Sequence, residues 1–325
     1  MSGGRQVRWG ILGAASIARG QFMPGLRETG DGVAAVVASR DLGRAQAFAD
    51  AEGVERAIDD YRALLADETI DAVYIPLPNS LHAEWTIEAL HAGKRILCEK
   101  PLCARLQETE RVIAEARAHP EAPLWEAFVF PFQAQHARVV ELLAQGAIGN
   151  LREIDSAFHF NLRATEDIRL SAELGGGALA DVGCYPIRLA HELLGPVGGR
   201  MAVEARVEGE VEVDASAIVA HGDQRLVLTC GFRRPFDTFS RLLGDEGRLH
   251  LTNPFHPGPG DRLEIHRPGA DPVVEHPTRD ARSFTAALRH IHAVVRGEEQ
   301  PRHLAVDSAI STATTLAALQ DLVTA

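Results

Sequence analysis

Lysine is nearly missing from this chain. Of its 33 cationic residues only Lys94 and Lys100 are lysines, so arginine supplies almost every positive charge. The two side chains are not interchangeable, and a lysine here marks a place where a planar guanidinium would not serve. Positive charge of any kind is also short, 33 cationic residues against 45 acidic ones, for a formal net charge of -12. That balance excludes the basic face by which proteins hold phosphate backbones, and no nucleic-acid partner is expected. Cysteine is sparse too. Cys98, Cys103, Cys184 and Cys230 show no CxxC spacing, which argues against a zinc knuckle or a disulfide framework and predicts four free thiols. The 14 histidines contain no HExxH and no dense ligand cluster in sequence, and no metal is expected. No apolar run reaches about 18 residues and no leader pattern stands at the start, so neither a membrane span nor a secretion signal is expected and the cytoplasm is the predicted location. Repeats, low-complexity tracts and a long linker are absent as well.

What is present is a globular composition, 46% hydrophobic and 24% charged, in 325 residues. That length allows two domains, each with its own core. From Val7 to about Phe130, the apolar runs VRWGILGA, VAAVVAS, DAVYIPLP, RILCEK and APLWEAFVF alternate with amphipathic segments such as LGRAQAFADAEG and LQETERVIAEARAH. Strands that are apolar throughout and separated by helices predict a parallel sheet covered on both faces. After about residue 150 the runs LREIDSAFHFNL, MAVEARVEGEVEV, ASAIVAHG, RLVLTCGF, RLHL and RLEIHR follow one another with turn residues between them, several alternating apolar with polar. This texture predicts a largely antiparallel sheet with one open face. The expected fold class is α/β: a doubly wound Rossmann domain over residues 1–124, then an α+β domain over 125–325. The stretches ALADVGCYPIRLAHELLG and SFTAALRHIHAVVRG are expected to cover the inner face of the second sheet.

The first run and its turn, VRWGILGAASIARG, have the spacing of a GxGxxG dinucleotide fingerprint with Gly13, Ala15 and Ala18 at the three positions. Gly13, Ala14, Ala15, Ser16 and Ile17 are the expected phosphate-binding turn, with Ser16 as cap of the following helix. Where NAD enzymes place an acidic residue, the second run ends in Ser39 and Arg40. A guanidinium can pair with a 2′-phosphate, so NADP(H) is expected in preference to NAD(H). Beyond DAVYIPLP, Asn79 or Ser80 can cap a helix beginning near Leu81, and Leu77, Asn79 and His82 would lie near the nicotinamide. Another stretch, LGGGALADVGCYPIRLAHELLG, puts Asp181 and Tyr185 four residues apart on one helix face.

Together these stretches, with Glu99-Lys100-Pro101, EAFVF, GAIGNLREI and DEGRLHL, resemble the glucose-fructose oxidoreductase, inositol dehydrogenase and MocA family (Gfo/Idh/MocA) over nearly the whole chain. The DVGCYP version is similar to the branch containing dihydrodiol dehydrogenase, NADP-dependent xylose dehydrogenase and sugar 3-ketoreductases. The resemblance implies hydride transfer to or from a sugar-like alcohol. Two positions depart from it: Arg188, where many members have aspartate, and Pro131, where the branch often has arginine.

A tyrosine of ordinary pKa about 10 exchanges protons poorly near neutrality unless its phenolate is stabilised, and a neighbouring ammonium supplies that stabilisation. The expected catalytic pair is therefore Lys100 and Tyr185. Glu99 and Lys100 join the cofactor-binding set, while Arg169 and Asp181 are expected to position sugar hydroxyls. A homodimer or homotetramer, formed through the open sheet face, is expected. One competing reading is a non-catalytic NADP-dependent sensor of the same fold; another is redox-assisted glycoside cleavage.

Overall fold

Short strands of Val, Ile, Leu and Ala that alternate with helices leave no solvated face, and in the computed structural model they form a parallel sheet. The described residues are 5–277, 280 and 282–324. Among them the first sheet has six strands in the order β3-β2-β1-β4-β5-β6: β1 (Val7–Leu12), β2 (Gly32–Ala38), β3 (Arg56–Ile58), β4 (Ala72–Ile75), β5 (Arg95–Cys98) and β6 (Leu124–Glu126). Every pairing is parallel. The crossovers carry α1 (Met23–Thr29), α2 (Leu42–Glu52), α3 (Tyr61–Ala66), α4 (Asn79–His91) and α5 (Leu106–Ala118). Each of β1, β4 and β5 is buried along nearly its whole length, as a sheet covered on both faces requires.

Lys94 shows what the first of the two lysines is for. Its ammonium donates to the carbonyls of Asp67 at 2.7 Å and Ile70 at 3.0 Å. Burial pushes its pKa down, opposed by Asp67 and Asp71. A compact ammonium on a flexible stem can serve two carbonyls of a single turn from one point, and Lys94 thereby fixes the chain entering β4.

The second sheet has eight strands among the described residues, in the order β14-β13-β12-β11-β7-β10-β9-β8: β7 (Leu151–Asn161), β8 (Met201–Glu208), β9 (Val211–His221), β10 (Gln224–Gly231), β11 (Arg233–Gly244), β12 (Arg248–Thr252), β13 (Leu263–His266) and β14 (Val273–Glu275). Only β7 and β10 pair in parallel; the other pairings described are antiparallel. Period-2 alternation sorts its faces. Val213, Ala215, Ala217, Val219, Leu226, Leu228, Leu242, Leu249 and Leu251 are buried on one side, where α7 (Cys184–Leu194) packs on β7 and β10. The other side carries cross-strand ion pairs, Arg241 with Asp155 and Arg225 with Glu153. Before β7 comes α6 (Ala134–Ala144).

The chain divides into two compact units, residues 1–103, 107–129 and 282–309 in the first, and residues 104–106, 130–281 and 310–325 in the second. One helix thus returns across the sequence. Helix α8 (Ser283–Val295), read from sequence as a cover for the antiparallel sheet, instead packs on α1 of the first unit. Gly25 and Gly32 explain the fit, since a Cβ there would lie 2.8 Å from Phe284 and 2.5 Å from His292. Buried polar groups then fix the register. Trp9 Nε1 donates to His292 Nε2 at 2.9 Å, so the proton of this imidazole is on Nδ1, which donates to Asp31 at 2.6 Å. Arg296 completes the chain on the other oxygen of Asp31. The last helix, α9 (Ala309–Thr324), joins the second unit, where Thr315 donates to the carbonyl of Val197.

Candidate functional site

In an open α/β sheet, ligands bind beyond the carboxyl ends of the strands. In the first unit those ends carry nearly all the sequence-selected residues. At the end of β1, Gly13 has φ +115 and donates its N–H to the carbonyl of Ala38 at 2.8 Å. A Cβ here would stand 3.0 Å from Leu77 Cδ2 in a backbone region that L-residues rarely adopt. The helix starts directly after this turn. Arg19 N–H already bonds to the carbonyl of Ala15, so Ala15 holds the cap position and Ser16, exposed, lies one residue inside the helix. The expectation of Ser16 as cap is corrected: the turn closes a residue earlier because Gly13 makes the whole reversal. Residues Ala18–Phe22 are wound as a π-turn before α1 begins, with no side-chain cap.

At the end of β2, Ser39 is buried and Arg40 exposed. Ser39 Oγ accepts weakly from Asp41 N–H at 3.4 Å, and Asp41 in turn caps α2. Tyr61 lies beside Arg40 and Arg44; burial raises its pKa against the pull of those two guanidiniums. Sequence reasoning passed over Arg44, whose only mark is its place in the first turn of α2.

The third strand end differs in detail from expectation. Helix α4 begins at Asn79, with Pro78 in the cap position. Asn79 is therefore the first helical residue, and the helix starts two residues before Leu81, because Leu81 N–H already bonds to the Pro78 carbonyl at 2.9 Å. His82 is completely buried, its ring nitrogens 2.8 Å from the carbonyl of Leu77 and 2.9 Å from that of Pro101. Burial pushes its pKa down, so the neutral ring donates to one of these carbonyls at a time. His82 thus ties the loop of Leu77 to the loop after β5, and has no exposed edge for a ligand.

That second loop carries Glu99, Lys100 and Pro101. Glu99 is buried and accepts from the Tyr74 hydroxyl at 2.6 Å and from Lys100 N–H at 3.3 Å. The Lys100–Pro101 peptide is cis. Leu102 N–H donates to Glu126 at 2.7 Å. The backbone on both sides of Lys100 is thereby anchored, while Lys100 itself is half-buried.

In the second unit another glycine turn leads into the helix of Tyr185. Gly177 has φ +110 and donates to the carbonyl of Arg169 at 2.9 Å. Leu179–Gly183 follow as a π-turn and run into α7. Here the helix start is closed from inside: Leu179 N–H donates to Glu212 Oε1 at 3.0 Å, and a Cβ on Gly177 would meet that carboxylate at 2.4 Å. Burial raises the pKa of Glu212, partly offset by the backbone N–H bonds it accepts.

Asp181 and Arg169, chosen separately from sequence, are joined by a 2.7 Å ion pair. Arg169 also pairs with Asp167 at 3.2 Å. Burial opposes its charge, but the two carboxylates outweigh it and raise its pKa further. Tyr185 is 4% exposed and packed among Phe158, Phe255 and His256. Its hydroxyl is 3.2 Å from His256 Nε2. His256 was missed from sequence. It stands in the loop NPFHPGPG between β12 and β13, which Asn253, at φ +47, and Asp261 pin from within; a Pro/Gly-rich hairpin loop holding an aromatic-histidine pair was the available signal. Of the two departures, Arg188 is buried and paired with Glu192 four residues on, and Pro131 is buried in a short 3-10 turn.

Residues 7–127 match the model of an oxidoreductase family with an NAD-binding Rossmann fold, Gfo/Idh/MocA, and residues 136–250 match that family's C-terminal domain. The chain belongs to the Gfo/Idh/MocA oxidoreductase family. It is 37% identical over 297 residues to a dTDP-3,4-didehydro-2,6-dideoxy-alpha-D-glucose 3-reductase of Streptomyces violaceoruber, covering 88% of this chain and 86% of the relative. It is 33% identical over 306 residues to D-xylose 1-dehydrogenase (NADP(+)) 2 of Haloferax volcanii, with 91% of each chain covered. Among solved structures it is similar to a 3-ketoreductase from Actinomadura kijaniata in complex with NADP and TDP-benzene, with a TM-score of 0.86, 32% identity and 98% of each chain covered. Among the described residues no helix is long and apolar enough to cross a membrane.

Proposed function

We propose that the protein is an NADP(H)-dependent oxidoreductase that transfers hydride between the nicotinamide and a secondary alcohol or ketone of a sugar, with the ketone of a nucleotide-linked deoxysugar as the first substrate to try. The observation that carries this reading is the helix start after Gly13: among the described residues no side chain bonds to it, and a Cβ on Gly13 would press on Leu77 at 3.0 Å in a strained backbone region. It fits a pyrophosphate, because unpaired N–H groups and the helix dipole favour an anion there. Arg40, exposed at the end of β2, fits a 2′-phosphate. NADP(H), when bound, supplies the hydride acceptor or donor. The named relatives use NADP or act on sugars, in agreement with this choice.

The remaining chemistry belongs to the protein. Gly13, Ala14, Ala15, Ser16 and Ile17 form the phosphate turn in this reading, while Ser39 and Arg40 select the phosphorylated ribose. Leu77, Asn79, Glu99 and Lys100 contact the cofactor's other half, with His82 holding two of their loops in place. Tyr185 moves the proton of the alcohol oxygen, and His256 fixes the phenol by the hydrogen bond at 3.2 Å. Lys100 supplies the ammonium that favours phenolate and orients the substrate oxygen. Arg169, held rigid by Asp181 and Asp167, and Asp181 itself position sugar hydroxyls. Association through the open face of the second sheet, as a dimer or tetramer, completes the proposal; light scattering that finds a monomer at micromolar concentration would remove that part.

The deciding experiment follows NADPH oxidation against 3-keto nucleotide sugars, and NADP reduction against aldoses and trans-dihydrodiols. Lys100→Arg should keep NADPH binding within a few-fold and lower kcat by roughly two orders of magnitude, the scale of lost positioned acid-base assistance. Tyr185→Phe should do the same, and the double variant should be no worse than the poorer single, as for groups acting as a unit. If Tyr185→Phe turns over normally while Lys100→Arg does not, the ammonium is itself the proton donor. If neither substitution matters, the catalytic pair is misassigned. No turnover with any of the substrates, alongside tight NADPH binding, would favour the non-catalytic sensor.

A further inference from the structure

The parallel sheet has a second edge, where its strands begin. Helix α4 ends at His91 just before β5, and α5 ends at Ala118 before β6. Three side chains gather where these helices stop: His91, Glu115 and His119, whose ligand-type atoms all lie within 4.8 Å of one another. His91 Nε2 is 3.2 Å from Glu115 Oε2, and His119 Nε2 is 4.0 Å from the same oxygen. The two imidazole rings meet edge to face with centroids 5.2 Å apart. In tetrahedral zinc coordination, bonds of about 2.0–2.1 Å put ligand atoms about 3.3 Å apart. The cluster spans that separation without any ion in it.

A fourth residue defines the protonation. His119 Nδ1 is 3.1 Å from Glu121 Oε1, and a carboxylate only accepts, so Nδ1 carries the proton. In a neutral ring Nε2 is then a lone pair, and a lone pair near a carboxylate oxygen repels it unless a cation lies between them or the ring is protonated. An orienting carboxylate on the far nitrogen is the usual outer partner of a metal-binding histidine. Both helices also end here, and the partial negative charge of their C-termini favours a cation.

We propose that His91, Glu115 and His119 form a binding site for a divalent transition-metal ion of the zinc class, with Glu121 as its outer carboxylate and water at the open position. Two imidazoles with one carboxylate select zinc, nickel or copper over magnesium and calcium, which prefer oxygen donors throughout. The ion would staple the end of α4 to the end of α5. The site lies at the strand-start edge, whereas Gly13, Ser39, Leu77 and Lys100 follow strand ends, and α4 alone, with 13 residues, is about 20 Å long. It is accordingly independent of the proposed reaction. Spacing along the sequence hides it because His91 stands at the end of α4, whereas Glu115 and His119 stand at and just past the end of α5.

The test is titration of zinc chloride into the full-length chain, stripped of metal with a chelator and then freed of it, by calorimetry at neutral pH. The wild type should bind one zinc ion that the double variant His91→Ala, His119→Ala does not bind, with NADPH affinity and the far-UV spectrum unchanged. Glu121→Gln should weaken zinc about tenfold, the scale of losing an outer-shell partner. Magnesium chloride should not compete. A wild type that takes up no zinc, a double variant that binds as the wild type does, or magnesium binding of equal strength would each overturn the proposal and leave an ordinary surface ion cluster.

Discussion

Two helices in this protein start in the same way and end up with opposite electrostatics. Each follows a glycine deep in the left-handed region, Gly13 at φ +115 and Gly177 at φ +110, and each begins with a π-turn before the regular helix. At Gly177 the first donors meet a carboxylate from the same unit, with Leu179 N–H on Glu212 at 3.0 Å. At Gly13 the neighbours are Ala14, Ala15 and an exposed Ser16, and among the described residues no side chain bonds to this start. A helix N-terminus carries about half a positive charge on groups with no partner inside the helix. One start satisfies that charge within the fold. The other has no such carboxylate among the described residues. The same backbone device is closed by a carboxylate in one unit and, in the proposed binding mode, serves an anion in the other, and the difference rests on a single carboxylate.

The sharpest way to break the contrast is to give the open start a carboxylate of its own. Ala15 holds the cap position, and Ala15→Asp should cap the helix and stabilise the folded protein by about 0.5–1 kcal/mol. In the proposed binding mode the same carboxylate would face the pyrophosphate. Two unit charges about 4 Å apart interact by about 4 kcal/mol at an effective dielectric near 20, and solvent reduces this, so NADPH affinity should fall about tenfold to a hundredfold. Fluorescence titration with NADPH, beside a denaturant melt, reads both effects. Unchanged affinity would mean that the phosphates do not sit at this turn.

The converse variant, Glu212→Ala, removes the internal carboxylate. Leu179 N–H would be left without it in a buried turn, a loss of about 1–3 kcal/mol. Urea denaturation should show that loss, while NADPH affinity stays the same because Glu212 is not among the residues assigned to the phosphate turn. A large change in NADPH binding with no change in stability would invert the assignment of open and closed starts.

These variants also separate what could be read in the chain from what could not. The apolar runs, their punctuation and the residues following them were legible because a strand buried on both faces has little freedom of composition. β3, the three residues Arg56–Ile58, was not. It is an edge strand with one charged and two half-buried residues, and periodicity has nothing to count there. The place of α8 was also hidden: an apolar helix face fits either sheet, and the choice was made by the room at Gly25 and by the Trp9, His292 and Asp31 hydrogen bonds. Of the candidate site, the strand-end residues and the Asp181/Tyr185 helix could be selected from spacing. The pairing of Asp181 with Arg169, the bond from His256 to Tyr185 and the carboxylate of Glu212 are contacts between residues far apart in sequence, and spacing carries no record of them.

A smaller effect is expected at Arg40, which in the proposed binding mode pairs with the 2′-phosphate. It is exposed and Tyr61 lies beside it. Arg40→Ala should weaken NADPH about tenfold, corresponding to about 1.4 kcal/mol for one charge-assisted contact, and leave NADH unaffected. Adding Ser39→Asp should then move the ratio of kcat/KM values toward NADH. Equal losses for both cofactors would show that Arg40 contacts something common to the two, and preference for NADH in the wild type would reject the NADP assignment outright.

The smallest change is predicted for Glu212→Gln, and its sign depends on pH. Burial raises the pKa of Glu212 in the folded protein above its ordinary value of 4.5, so the fold binds the proton of this carboxyl more tightly than the unfolded chain does. A raised carboxyl pKa contributes stability that is fully present below the unfolded pKa and is lost as pH rises through the folded one. Glutamine keeps the oxygen that accepts from Leu179 N–H and carries no charge, so it imitates the protonated residue at every pH. Relative to the wild type, Glu212→Gln should therefore gain stability as pH rises from about 4 toward neutrality, by less than about 1 kcal/mol because the two backbone bonds to the carboxylate favour the charged form. Urea melts of both proteins at several pH values in this window measure the difference directly. A variant that instead loses ground as pH rises would mean that the closed helix start needs the full negative charge of Glu212, with the dipole term outweighing the cost of burying it.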